Sequence, residues 1–254
     1  LRLLTGFESM CGRYTLIKQP ASIGAKSQAK IELPDDIGDE SFAFKARYNI
    51  APTQGNLVVR KQAADERFLM SSMRWGLVPS WSRTGETTSL LINARSETIA
   101  EKPSFKAAYQ RRRCLVPADG YYEWRRQRSV NQPYYLQLSD ESVFYMAGIW
   151  ETWHDPAGGP TESFAILTTQ ANALAAKVHD RMPVILEGDD TLTWLDGNPD
   201  IIETDKRFDL LGPIDSSRMK CRPVNPIVNN NQNDVPECIS EPPVETSTQL
   251  DMGF

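Results

Sequence analysis

Histidine is scarce in this chain, which has only His154 and His179, and its four cysteines are Cys11, Cys114, Cys221 and Cys238. No two cysteines stand in a C-x-x-C spacing, and with so few imidazoles a structural zinc site is disfavoured. Four cysteines in 254 residues are also too few for the disulfide framework of a small secreted domain. No run approaches the ~18 apolar residues of a membrane-spanning helix. Residues 1–9 lack the basic start, long apolar run and small-residue cleavage site of a secretory signal. These absences point to a reduced, cytoplasmic protein with no metal, no cofactor and no membrane partner, and nothing demands more than a monomer.

The length allows a sizeable core, in one large domain or two small ones. Net charge is −5, but it is unevenly spread. Residues 74–128 hold 11 Lys and Arg against 5 Asp and Glu, whereas residues 187–254 hold 5 against 14. A basic middle suits a polyanion, and an acidic remainder discourages indiscriminate binding. Two solvated faces of opposite sign would give the same pattern.

Strand-like runs dominate: 13–17, 57–61, 68–75, 114–116, 121–125, 134–138, 143–150 and 163–169 are short, β-branched or aromatic, and bounded by turn residues. Helical segments are expected at 20–31, 102–113, 171–178 and 189–195, with a single turn at 96–100. This pattern predicts an α+β fold, with mixed, largely antiparallel sheets curled into a barrel-like core and a few short flanking helices. One domain is expected over 10–236, with 1–9 a leader or misassigned start and 237–254 a disordered acidic tail.

The most informative segment is Met10-Cys11-Gly12-Arg13-Tyr14. If Met10 is the start, its removal leaves cysteine first, with a thiol and a free α-amine on adjacent carbons. That pair can close a five-membered thiazolidine ring on an aldehyde. The α-amine, with an ordinary pKa of about 7.7–8.0, is substantially neutral at physiological pH.

Other segments set polar groups among apolar residues. Asn93 and Arg95 lie two apart in Ile92-Asn-Ala-Arg-Ser-Glu97, hence on one face if extended. Glu123 stands amid aromatics in Gly120-Tyr-Tyr-Glu-Trp124, where desolvation would raise its pKa toward that of a working acid. His179 opens His179-Asp-Arg-Met-Pro183. Tyr48-Asn-Ile-Ala-Pro-Thr53 and Arg74-Trp-Gly-Leu-Val-Pro79, the latter followed by Trp81, are loop-flanked clusters. Singly, each has a structural explanation: a hydrogen-bonded histidine, a half-exposed glutamate, tryptophans packed in a loop.

Together with Arg113-Cys-Leu-Val-Pro-Ala118 these blocks occur in one order, and the series resembles the SOS response-associated peptidase family. Members of that family include bacterial and vertebrate sensors of abasic sites in single-stranded DNA. The resemblance runs from Met10 to about Ile239. It implies a covalent partner, single-stranded DNA carrying abasic sites, crosslinked through an N-terminal cysteine as a thiazolidine, and a nucleoid-associated bacterial location. It further implies Cys11 as nucleophile, Asn93 as its polar partner, Glu123 as acid and base, and His179 as the active-site imidazole. Arg13, Asn49, Pro52, Trp75, Trp81, Arg95, Arg111 and Arg112 are the implied DNA-binding positions. Residues before Cys11 would block its amine, so a chain retaining them is expected not to crosslink. Two other functions stay open: a thiol-dependent peptidase or autopeptidase using Cys11 and His179, and a non-catalytic module binding single-stranded DNA.

Overall fold

The computed structural model describes residues 11–20, 22–23, 29–32, 44–62, 67–85, 90–127, 130–156, 158–196 and 210–243. The first strands are β1 (Arg13–Leu16), β2 (Ser22–Ile23), β3 (Ala29–Glu32), β4 (Arg47–Ile50), β5 (Gly55–Lys61), β6 (Phe68–Trp75) and β7 (Asn93–Arg95). Helix α1 (Pro103–Arg111) precedes β8 (Arg113–Ala118), β9 (Gly120–Gln127), β10 (Val130–Leu138), β11 (Phe144–His154) and β12 (Pro160–Gln170). Then come β13 (Arg181–Pro183), β14 (Ile185–Leu186), α2 (Asp190–Leu195) and β15 (Met219–Pro223). No helix among the described residues is long and apolar enough to cross a membrane.

Five of these strands close a barrel. β5 pairs with β6 and β8, β8 with β11, and β11 with β12, all antiparallel. A parallel contact of β12 with β6, Phe164 opposite Trp75, completes the ring. Barrel strands are buried on both faces, so they read as continuous apolar runs such as Cys114-Leu-Val and Phe144-Tyr-Met-Ala. One face places Val58, Trp75, Cys114, Val116, Met146 and Phe164 in a single cluster. The other places Val59, Leu115, Ala147 and Ala165 against Phe105 and Ala108 of α1 and Trp194 of α2. Trp75 stacks on Phe164 at 6.3 Å and meets Tyr14 edge-on at 5.3 Å. Such aromatic pairs add about 0.5–1.5 kcal/mol each beyond their burial.

The second sheet runs β15-β10-β9-β1-β4. Residue alternation divides it cleanly: Tyr121 joins the barrel-side cluster with Tyr14 and Leu136, while Tyr122 packs on the opposite side with Tyr135, Val224, Val228 and Cys238. The expected α+β, largely antiparallel barrel is thus what the chain forms.

Three expectations need correction. Instead of a helix at 20–31, the described part is extended, with Ile31 of β3 paired to Phe68 of β6, so sheet pairing overrides the alanine-rich propensity. The helix expected at 171–178 shrinks to a 3-10 turn at Ala175–Lys177. The expected disordered tail also begins inside the fold. A 3-10 turn at Pro236–Ile239 buries Cys238 completely, and residues 244–254 lie outside the described ones.

Candidate active site

Cys11 sits two residues before β1 and is almost fully buried. Its φ is +46°, a left-handed conformation that few non-glycine residues adopt. Such backbone costs of order 1–3 kcal/mol and persists where its surroundings over-determine it. Here the register of β1 on β9, Arg13 opposite Tyr122, brings the start of β1 alongside Glu123. The Cys11 backbone N–H donates to Glu123 Oε1 at 2.7 Å, between two residues each 3% exposed.

Burial dominates the protonation of this pair. It pushes the Glu123 carboxyl above the usual range, against hydrogen bonds from Cys11 and the charge of His179, which pull it down. Burial also pushes the Cys11 thiol well up, and the neighbouring Glu123 charge pushes it further. The resting pair therefore favours a neutral thiol and a carboxyl ready to exchange a proton.

His179 follows the Ala175–Lys177 turn, and its backbone N–H donates to the Ala175 carbonyl at 3.0 Å. Its Nδ1 accepts from the Arg181 backbone N–H at 3.0 Å, so in the neutral ring the proton belongs on Nε2. Asp180 Oδ1 also lies 3.0 Å from Nδ1. Arg181 is buried and grips Glu97 with two arms at 2.6 and 2.9 Å, while also donating to the Thr168 carbonyl at 2.7 Å. The Arg181 hydrogen bond holds Glu97 below the usual carboxylate range. The Arg181 charge also lowers the Cys11 thiol, partly offsetting burial.

The C-terminal half of β12 unites these parts. Thr168 pairs with Arg95 of β7 on one side and Pro183 of β13 on the other. Asn93, half-buried on β7, stands opposite Ile166 of β12, not opposite the Cys11 strand. Cys11 and Glu123 touch directly, His179 acts on Glu123 through charge, and Asn93 arrives from the separate β7–β12 layer.

The residues expected at DNA separate into two groups. Asn49 and Trp75 have no solvent-facing surface. Asn49 Nδ2 donates to the carbonyls of Val228, Asn230 and Asn233, and its Oδ1 accepts from Arg13 at 2.9 Å. Arg13 also reaches the Val228 carbonyl at 2.8 Å, so this pair fastens the C-terminal segment to β1. Trp75 Nε1 donates to the Ile92 carbonyl at 3.0 Å. In this conformation these side chains serve the interior. Arg112 is half-buried and paired with Glu151 at 2.6 Å. Pro52 is half-buried in the turn after β4. By contrast Arg95, Arg111 and Trp81 are exposed, Trp81 by 65%. Sequence reasoning passed over Glu97, Tyr121 and Arg181, although each lies within a motif that it singled out. Among the described residues no group of three or more His, Cys, Asp or Glu could hold a metal ion.

Comparison with known proteins identifies the family. The family model described as SOS response associated peptidase (SRAP) matches residues 10–231. The abasic site processing protein YoqW of Bacillus subtilis (strain 168) is 36% identical over 231 residues, covering 91% of this chain and 99% of the relative. The abasic site processing protein HMCES of Xenopus tropicalis is 31% identical over 265 residues, covering 91% of this chain and 78% of the relative. A crystal structure of a Bacteroides thetaiotaomicron protein superposes with a TM-score of 0.66 at 32% identity, covering 76% of this chain and 84% of that one. A Bordetella bronchiseptica protein shares the fold, with a TM-score of 0.66 at 23% identity, covering 85% of this chain and 100% of that one. With its Cys11–Glu123 pair at the head of β1, this chain belongs to the SOS response associated peptidase (SRAP) family.

Proposed function

We propose that this protein senses abasic sites in single-stranded DNA and captures them covalently through Cys11 in a chain that begins at that residue. The observation that carries this reading is the 2.7 Å hydrogen bond from the Cys11 nitrogen to Glu123 Oε1. In a chain beginning at Cys11 that nitrogen is the α-amine, held against a buried carboxyl whose pKa is raised. The abasic-site names of its relatives favour the same substrate.

The chemistry follows from these positions. The amine nitrogen attacks the aldehyde carbon of the ring-opened sugar, giving a carbinolamine. Glu123 in its acid form protonates the carbinolamine hydroxyl, which leaves as water, and a C=N bond remains. The Cys11 sulfur adds to that carbon while the thiol proton passes through Glu123 to the nitrogen. A five-membered ring results, with one water released overall. General acid–base assistance of this kind is worth about 10²–10⁴-fold. His179 lies close enough for its charge to act on Glu123, against the effect of burial. Asn93 supplies a non-titrating hydrogen-bonding group to the developing charge. Exposed Arg95 and Arg111 meet phosphates, and Trp81 offers a face for an unpaired base, worth about 1–3 kcal/mol.

The same hydrogen bond favours a second activity, cleavage of the Met10–Cys11 peptide bond. The Cys11 thiol attacks the Met10 carbonyl while the acid against the scissile nitrogen protonates it, which moves the acyl group onto sulfur as a thioester. Water then hydrolyses the thioester, releasing the preceding residues as a carboxylic acid and freeing the Cys11 thiol and α-amine.

The test is mass spectrometry of a protein beginning at Cys11 after incubation with single-stranded DNA bearing one abasic site. A species equal to protein plus DNA less one water is expected. Only unmodified masses, or an adduct that forms equally with intact DNA, would overturn the reading.

A further inference from the structure

Tyr121 is buried within the same layer as the reacting pair. It lies two residues before Glu123 on β9, so both side chains leave the strand on one face, while Tyr122 leaves on the other. It pairs across the sheet with Tyr14 of β1 and Leu136 of β10, and Leu136 in turn with Cys221 of β15. Its ring is 1% exposed, yet its Oη has no hydrogen-bond partner among the described residues. The neighbouring tyrosines behave otherwise: Tyr122 Oη donates to the Tyr48 carbonyl at 2.6 Å, and Tyr135 Oη meets Thr15 Oγ1 at 2.8 Å.

An orphaned buried hydroxyl is unusual, because a phenylalanine of the same shape would fill the space without stranding a polar atom. The groups that act electrostatically on the Tyr121 hydroxyl are Cys11, Glu123 and Cys221. Burial keeps it protonated far above its ordinary pKa, so it is a permanent neutral donor. Cys221, whose thiol burial pushes up to about 11, competes with no charge near neutral pH.

We propose that Tyr121 Oη is a substrate-contacting donor of the site, left unpaired in the empty protein and satisfied by the oxygen borne on the electrophilic carbon beside Cys11. That oxygen is the aldehyde oxygen, which becomes the carbinolamine hydroxyl and departs as water. A donor whose hydrogen bond strengthens as charge develops on this oxygen stabilises the transition state more than the resting state. No proton is transferred from Tyr121, and Glu123 remains the acid. The inference rests on the capture reaction proposed above and adds a residue to it.

The test compares wild type with Tyr121→Phe in a protein beginning at Cys11, a start that keeps every described element of the fold. Crosslinking rate is measured against concentration of abasic single-stranded DNA, alongside thermal melting. The expected result is a rate at saturating DNA lowered by about 10²-fold, as when one oxyanion donor is removed. The half-saturating concentration should stay unchanged, and the melting temperature equal or higher. The mid-points of the pH–rate profile should also stay in place, since Tyr121 does not titrate there. An unchanged saturating rate, or a loss accompanied by a lower melting temperature, overturns the assignment. A wild type that forms no adduct fails the capture reading itself, an outcome distinct from a wild type that crosslinks as its Tyr121→Phe variant does.

Discussion

Arg181 holds Glu97 through two charge-assisted hydrogen bonds, at 2.6 and 2.9 Å, and so ties the segment carrying His179 to the segment that follows Asn93. The guanidinium is buried while the carboxylate is 44% exposed on its side chain. Removing the partly exposed acid leaves the buried cation under-paired, which sets the direction of the effect.

Glu97→Gln is therefore expected to lower stability by about 1–2 kcal/mol near neutral pH, a figure reduced for the exposure of Glu97. The folded pKa of Glu97 is depressed, so its contribution is present above the unfolded value of about 4.3 and fades as pH falls through the folded one. Denaturant melts of both proteins at pH 7 and pH 3 check this. A stability gap that fails to narrow at pH 3 would contradict it.

Asn49→Ala should loosen the C-terminal segment. It strips one hydrogen bond each from the carbonyls of Val228, Asn230 and Asn233 and one acceptor from Arg13. A loss of about 2–3 kcal/mol is expected, from roughly 1 kcal/mol per net hydrogen bond with partial relaxation. Limited proteolysis should then cut first within residues 225–243, and equal resistance to protease would refute the clamp.

Glu123→Gln should slow adduct formation by about 10²-fold or more. Because Glu123 is raised above the usual carboxylate range and acts in its acid form, the wild-type rate should fall as pH rises through that raised value. Glutamine cannot titrate, so this limb should vanish from the variant's rate profile. A variant profile that keeps the limb would assign it to another group.

Arg95→Ala should weaken binding to single-stranded DNA and reduce the salt slope by about 0.7, the value for one phosphate contact on a single strand. Arg95 is exposed at the end of β7, whereas Arg13 is engaged with Val228 and Asn49. Fluorescence anisotropy at several salt concentrations separates the two. Arg13→Ala should chiefly lower stability, and an unchanged slope for Arg95→Ala would remove it from the interface.

The sequence made the barrel legible wherever a strand carried its own signal. Phe68–Trp75 opens and closes on an aromatic residue and is bounded by charge and glycine, and it forms as expected. Arg47–Ile50, Arg181–Pro183 and Met219–Pro223 were opaque because they are short, carry charge or proline, and owe their extension to partners distant in sequence. The site divides in the same way. Cys11, Glu123 and His179 stand out by residue type within motifs, but the Arg181–Glu97 pair joins positions 84 residues apart. Local propensity carries no trace of such a contact. Nor does it separate Tyr121 from Tyr122, whose hydroxyls meet opposite fates on the two faces of one strand.

The central claim is that the Cys11 nitrogen, held by Glu123, is the atom that captures the aldehyde. Denaturing gel electrophoresis of abasic single-stranded DNA tests it most directly, with one protein beginning at Cys11 and a second whose preceding residues mass spectrometry shows to be still attached. A denaturant-resistant band is expected only with the first, because a peptide bond on that nitrogen forbids ring closure. An equal band with both proteins, or none with either, would contradict the account.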